Sequence, residues 1–148
     1  MTGQAAAQAT SPVLGQAPDG DLASLKSQLG ELRVQLAGLN VQWDGLKSQL
    51  DQMLRAAWSG LNNALVAGDK AGALRAFNGA AQLKFGPVFD VLMPFMGEIV
   101  ASYSALAQSS LTNSIGEYAV ARMDGTQRRV FMIYFLRGSD GVWKIDEM

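Results

Sequence analysis

Carboxylates and tyrosines are the groups with which this chain could perform acid–base chemistry, because its sequence contains no histidine and no cysteine. Asp90 and Glu98 are candidates for such a role, since both interrupt the longest apolar stretch, residues 87–107. They are 8 residues apart, so on a helix they share one face and lie about 12 Å apart along its axis. That distance argues against a cooperating pair. We interpret both as solvated residues on the outer stripe of a buried helix.

The composition excludes several other classes of site. Without cysteine the chain has neither disulfides nor thiol chemistry, and without histidine it lacks the commonest metal ligand, so we expect no metal and no cofactor. The 12 basic and 13 acidic residues leave no positive footprint for nucleic acid. The stretch 87–107 is about as long as a membrane span, but Pro94 and two carboxylates interrupt it. We therefore expect no transmembrane span.

The sharpest pattern is a run of apolar residues at alternating steps of three and four between Leu22 and Met53. This spacing is typical of a coiled coil. The repeat also extends to whole segments, because the pentapeptide LKSQL occurs at residues 25–29 and again at residues 46–50. We predict a coiled-coil helix over residues 21–54, with an oligomerisation seam formed by its a and d positions: Leu22, Leu25, Leu29, Leu32, Leu36, Leu39, Trp43, Leu46, Leu50 and Met53.

The seam does not specify its partner. Leucine dominates both the a and the d positions, which leaves dimer, trimer and antiparallel pairing open, and glutamine at every g position provides no acidic group to pair with the bases at e. The seam would be about 48 Å long, more than the width of a domain of about 90 residues. We therefore favour self-association into a homo-oligomer. Attachment to another helical protein and packing of the helix onto its own domain are the alternatives.

Glycine and proline punctuate the chain beyond the seam. The apolar face of the first helix continues past Met53 to Gly68, which supplies a left-handed C-terminal cap. Asp69 then caps a second helix, predicted over residues 70–85. Gly86 and the proline that follows it are expected to end this helix, because proline lacks the backbone N–H of a helix interior.

In the remainder of the chain, the spacing of apolar residues changes from that of a helix to that of a strand. A third helical stretch covers residues 88–103 and is kinked or broken at Pro94. A connection rich in serine, threonine and asparagine follows at residues 109–114. Alternating apolar residues then predict three antiparallel strands joined by tight turns, at residues 116–123, 128–137 and 142–148. Helices followed by an antiparallel sheet define an α+β fold in which the helices cover one face of the sheet.

Residues near both ends of this region resemble a known family. The pattern W-x-x-L-x-x-A-L-x-A-G-D at residues 58–69 and A-L-R-A-F at residues 73–77 are similar to the opening of the nuclear transport factor 2-like superfamily, which includes SnoaL-like and ketosteroid isomerase-like proteins. The apolar strand at residues 131–136 and V-W-K-I-D at residues 142–146 resemble the final hairpin of that family. The resemblance covers the chain from about residue 56 onward.

The resemblance implies a cone-shaped domain over residues 55–148, with about three helices packed on a curved antiparallel sheet around an apolar pocket. Enzymes of this family place an acid or a base in the pocket, often a carboxylate partnered by a tyrosine or a histidine. The possible pocket residues of this chain are Asp90, Tyr103, Tyr118 and Tyr134. No established catalytic position of the family maps onto the chain, so we assign no catalytic residue.

The function that these patterns favour is a non-enzymatic assembly or binding module. It would oligomerise through the leucine seam and present the cone-shaped domain for protein recognition or surface attachment. The alternative is a small apolar ligand-binding protein, or an isomerase-like or cyclase-like enzyme, that uses the pocket of the cone.

The first 20 residues are rich in alanine, glutamine, glycine and proline and have no long apolar run, so we expect a disordered leader over residues 1–20. They lack the basic start and the apolar core of a secretory signal. Two interpretations remain open, a plain disordered terminus and the start of an exported bacterial chain whose signal peptide was removed. We favour the exported chain, in the periplasm or outside the cell.

Overall fold

The computed structural model describes residues 19–148. The predicted leader, and the expectation of export that depends on it, therefore lie outside the described residues, except for the two residues that begin the first helix. Contacts divide the chain into two compact units, one ending at Asp44 and the other comprising Gly45–Met148. The sequence predicts a boundary between residues 54 and 55, and Leu54 is fully buried in the core of the second unit.

Helix α1 extends over Asp19–Val66. It ends where the sequence predicts, because Gly68 has a positive φ of 75°, a conformation that costs glycine no side-chain clash. The backbone N–H of Asp69 donates to the carbonyl of Ala64 and so satisfies one of the last carbonyls of α1. The Asp69 side chain then accepts from the N–H of Gly72, which caps the next helix as predicted.

The predicted second helix is two helices, α2 at Lys70–Leu74 and α3 at Gly79–Leu92. The chain leaves the helical conformation between them because Phe77 forms a bridge with Ile145 of the last strand. The backbone N–H of Asn78 donates to the carbonyl of Ile145, and the Asn78 side chain caps α3. Backbone pairing with a distant strand thus replaces local helical hydrogen bonds, which the sequence pattern did not reveal.

The prediction that Gly86 and Pro87 end a helix was wrong, since Pro87 lies inside α3. Proline removes one N–H, and the carbonyl that loses its partner is that of Leu83, a residue 82% exposed and hence open to water. Buried Phe85 and Phe89 hold α3 to the core on both sides of the proline. The predicted break at Pro94 is confirmed as a 3₁₀ turn, Met93–Phe95, followed by α4 at Met96–Ala101.

The second unit ends in a four-stranded antiparallel sheet in the order β1-β2-β3-β4. The strands are β1 at Ala107–Leu111, β2 at Ile115–Asp124, β3 at Gln127–Arg137 and β4 at Trp143–Glu147. The α+β prediction and the last three strands are therefore confirmed. Strand β1 was not predicted, because residues 109–111 belong to the connection that is rich in serine, threonine and asparagine, and Leu111 is the single buried residue of the strand.

The core of the second unit lies between the helices and one face of this sheet. Helix α1 contributes four buried residues spaced by three or four positions, namely Leu54, Trp58, Leu61 and Leu65. The sheet contributes alternate residues of β3, Ile133 and Phe135, which are buried on the face that meets the helices. Three phenylalanines fill the space near α3, with ring centroids 5.0 to 6.0 Å apart: Phe77, Phe85 and Phe89. No helix among residues 19–148 is long and apolar enough to cross a membrane.

Candidate functional site

The predicted seam is an exposed apolar stripe on α1. Nine of its ten residues have between 37 and 61% of their surface exposed, from Trp43 at the low end to Leu39 at the high end. Leu50 is the exception, since it is half-buried against the core of the second unit. Every residue from 19 to 44 is exposed. The first unit, as described, therefore has leucines at coiled-coil spacing but no core of its own.

Such a helix gains little stability from its sequence alone. Gly30 and Gly38 lie outside the seam and have no neighbour that a side chain would touch, yet each costs about 1 kcal/mol of helix stability relative to alanine. Helices in water depend mainly on burying an apolar face. The stripe on residues 22–43 is thus the face through which this part of α1 is best stabilised.

The four predicted pocket residues do not form one site. The side chain of Asp90 is 61% exposed and pairs with Lys70 at 2.6 Å on the surface. Tyr118 is fully buried, and its hydroxyl is used in a hydrogen bond to α1. Tyr134 lies between the core residues Ile133 and Phe135, on the other face of β3. Tyr103 is the member of the set that lines an apolar cavity.

Tyr118 belongs to a polar cluster that the sequence did not predict. Its hydroxyl donates to Asp51 at 2.7 Å, and Arg55 donates to the other oxygen of the same carboxylate at 2.9 Å. Arg55 also donates to the carbonyl of Leu106 at 2.7 Å, and its guanidinium lies 5.5 Å from the centre of the Tyr118 ring. The spacing of four between Asp51 and Arg55 is a recognisable helical ion pair. Its tyrosine partner, 67 positions away, leaves no local signal.

Burial and hydrogen bonding have opposite effects on the two acids of this cluster. Burial alone would raise the pKa of Asp51, but the hydrogen bonds from Tyr118 and Arg55 and the charge of Arg55 outweigh it and lower that pKa. For Tyr118, burial and then the hydrogen bond to Asp51 and its negative charge raise the pKa, so the phenol stays protonated as a donor. The cluster is suited to fixing α1 to the sheet, since neither acid is poised to exchange a proton near neutral pH.

Replacing Asp51 by asparagine should destabilise the second unit by roughly 1 to 3 kcal/mol at neutral pH, because Arg55 loses a charged acceptor. The pKa of Asp51 is lowered from 3.8, so its contribution is complete above that pH and disappears as pH falls through the pKa of the folded state. Urea unfolding of wild type and Asp51→Asn between neutral pH and pH values below that point measures the effect. Asp44→Asn, at an exposed position of α1, is the control. A difference that does not shrink in acid contradicts the assignment.

An apolar cavity of about 180 Å³ lies within the second unit, between α1, α3, α4 and the sheet. Trp58, Phe89, Met96 and Ile99 are among the apolar residues of its wall, and Tyr103 and Arg122 bring polar groups to it. Burial raises the pKa of Tyr103, while the charge of Arg122 lowers it in part. Arg122 was not predicted, although it follows buried Tyr118 and Val120 on the same face of β2. Residue type alone does not distinguish an arginine at a cavity wall from one at the exposed end of a strand.

The described residues place no metal site in or near this cavity. No three carboxylates of residues 19–148 lie close enough together to hold an ion. The wall of the cavity is apolar apart from one cation, Arg122, and one phenol, Tyr103.

The fold and these surfaces define the class of the protein as α+β, a long helix followed by short helices and a four-stranded antiparallel sheet. No protein-family model, curated protein or solved structure gives a significant match to the chain.

Proposed function

We propose that the protein is a non-enzymatic assembly module that associates with further copies of itself through the leucine seam. The observation that carries this proposal is the exposure of nine of the ten seam residues along α1. Apolar side chains are common on protein surfaces one at a time, but a continuous stripe of them marks an interaction site. The pentapeptide LKSQL occurs twice, so the spacing of the leucines is the same at both ends of the seam. A regular seam of this kind can pair along its whole length with the seam of an identical helix.

Burial of the stripe supplies the free energy of association. Each square ångström of apolar surface removed from water contributes about 25 cal/mol, and the half-exposed leucines offer such surface at every turn of the seam. The g positions lack acids that would pair with the bases at e, so the charges beside the seam do not select a different partner over a second copy. Association would bring several copies of the second unit together and raise the avidity with which they bind a protein or a surface.

The second unit is proposed to be a nuclear transport factor 2-like domain. Helices that cover one face of an antiparallel sheet support this assignment, as does the final hairpin of β3 and β4. Its turn contains Gly141 at a φ of 80°, within the Asp-Gly pair that precedes the V-W-K-I-D segment. The assignment concerns the fold, since a fold of this kind supports many functions.

Removing the first unit tests the proposed assembly. Light scattering on the full chain and on residues 45–148 should show an oligomer for the first and a monomer for the second, because the shorter chain retains three seam residues of ten, and one of these packs on its own core. Circular dichroism of the shorter chain checks that its helices and sheet remain. Equal association of the two chains would overturn the proposal, since the interface would then lie within the second unit.

A second candidate function, small-molecule binding, is favoured by the cavity in the second unit. It would coexist with assembly, because the cavity and residues 22–43 share no side chain.

A further inference from the structure

Arg122 is partly buried, and its guanidinium contains a buried donor without a partner in the part of the chain that the structure describes. Its Nε atom is buried and makes no hydrogen bond with any described residue. Arg122 also takes part in no ion pair among residues 19–148. A buried guanidinium donor left unsatisfied costs free energy, and the cost is greater for a charged group than for a neutral one.

The strand pairing increases this imbalance of charge. Arg122 of β2 is directly opposite Arg129 of β3, and like charges in such positions destabilise a sheet. Arg129 is neutralised by Asp124 at 3.0 Å, whereas Arg122 is not. The position therefore holds an uncompensated positive charge at the wall of an apolar cavity.

A second depression continues from the same two residues. Tyr103 and Arg122 line both the apolar cavity and a more open hollow that Arg128 also borders. The apolar cavity thus has a cationic boundary on one side. A ligand that satisfies both parts has an apolar body and a negatively charged head.

We propose that the cavity binds a small amphipathic carboxylate, whose apolar part fills the space beside Trp58 and Phe89 and whose carboxylate pairs with Arg122. Arginine is suited to this role because its planar guanidinium donates to both oxygens of a carboxylate. The cavity has a volume of about 180 Å³, and apolar cavities of about this size bind small molecules such as benzene. The proposal goes beyond the assembly function and does not depend on it.

The test uses the full chain with the probes 3-phenylpropionate and octanoate, and their uncharged analogues 3-phenylpropanol and octanol. Calorimetric titration should show that the acids bind at least about tenfold more tightly than the alcohols, because only the acids supply a charged acceptor. Trp58 lines the cavity, so its fluorescence should change on binding in a chain where the other two tryptophans are replaced by phenylalanine.

Matched variants show where the carboxylate and the apolar part of the ligand bind. Arg122→Gln should weaken the acids at least about tenfold and leave the alcohols nearly unchanged, whereas Arg129→Gln, on the facing strand, should have little effect on either. Val88→Phe, at a wall position that is 40% exposed, should weaken both acids and alcohols by filling the space.

Each contrary result overturns the proposal. These are the absence of acid binding at millimolar concentration, equal binding of acid and alcohol, and an unchanged acid affinity in folded Arg122→Gln. If Arg122→Gln does not fold, the acid-to-alcohol ratio in the wild type and the Val88→Phe variant still decide the matter. Assembly measured by light scattering is a separate readout, so failure of ligand binding leaves the assembly proposal intact, and the reverse also holds.

Discussion

Replacing Leu32 and Leu39 together by lysine is expected to convert the proposed oligomer into a single chain of 15.8 kDa. Both residues occupy d positions of the seam, and their exposed fractions are 60 and 61%. In an oligomer each would be buried between helices, where an unpaired ammonium group is costly to remove from water. Light scattering should therefore show the loss of association at concentrations where the wild type is fully assembled.

The control variant carries the same change of charge on the same helix. Val34 and Val41 are apolar and even more exposed, at 73 and 71%, but they occupy f positions and lie outside the seam. Replacing both by lysine should leave the oligomer intact. Equal dissociation by the two double variants would show that net charge, rather than the seam, governs association.

Replacing Phe77 by alanine is expected to destabilise the second unit by about 3 to 5 kcal/mol, the range measured for large aromatic residues in cores. Phe77 is 1% exposed and packs against the rings of Phe85 and Phe89, with centroid distances of 5.0 and 5.7 Å. It also lies at the break between α2 and α3, where the backbone pairs with Ile145. Since domains are stable by only about 5 to 15 kcal/mol, the variant should unfold at far lower urea concentration.

Phe95→Ala is the matched control for this experiment. Phe95 is 57% exposed at the 3₁₀ turn, so its truncation should alter the free energy of unfolding by less than about 0.5 kcal/mol. Urea unfolding followed by far-ultraviolet circular dichroism measures both variants. Similar losses in Phe77→Ala and Phe95→Ala would contradict the placement of Phe77 at the centre of the core.

The parts of the fold that the sequence predicted are those set by local chemistry. Gly68 and Asp69 determine where α1 ends and α2 begins, because a left-handed cap and a side-chain acceptor act within a few residues. The tight turn predicted between β2 and β3 likewise contains a glycine, Gly125, with a φ of 63°. Both were predicted from residue type and spacing alone.

The parts that the sequence did not predict depend on distant contacts. The break between α2 and α3 arises from pairing with Ile145, and the strand β1 exists because its backbone pairs with β2 despite its mostly exposed side chains. Pro87 is tolerated within α3 because the carbonyl that loses its helical hydrogen bond belongs to Leu83, which is exposed to water. None of these effects changes the local period of apolar residues, which is what a sequence pattern measures.

The candidate sites divide in the same way. The seam was predicted because a heptad repeat is a local pattern. The contact of Tyr118 with Asp51, and separately the position of Arg122 at the cavity wall, arise only in the folded second unit. The acid–base role considered for Asp90 found no support, since that carboxylate pairs with Lys70 on the surface. Burial, which tunes a pKa, is a property of the fold and is invisible in residue type.

Sedimentation equilibrium of the intact chain, from micromolar to near-millimolar concentration, tests the central claim most directly. Association through the exposed leucine seam predicts an average mass that rises with concentration to a whole multiple of 15.8 kDa. A mass that stays at 15.8 kDa throughout this range would contradict it.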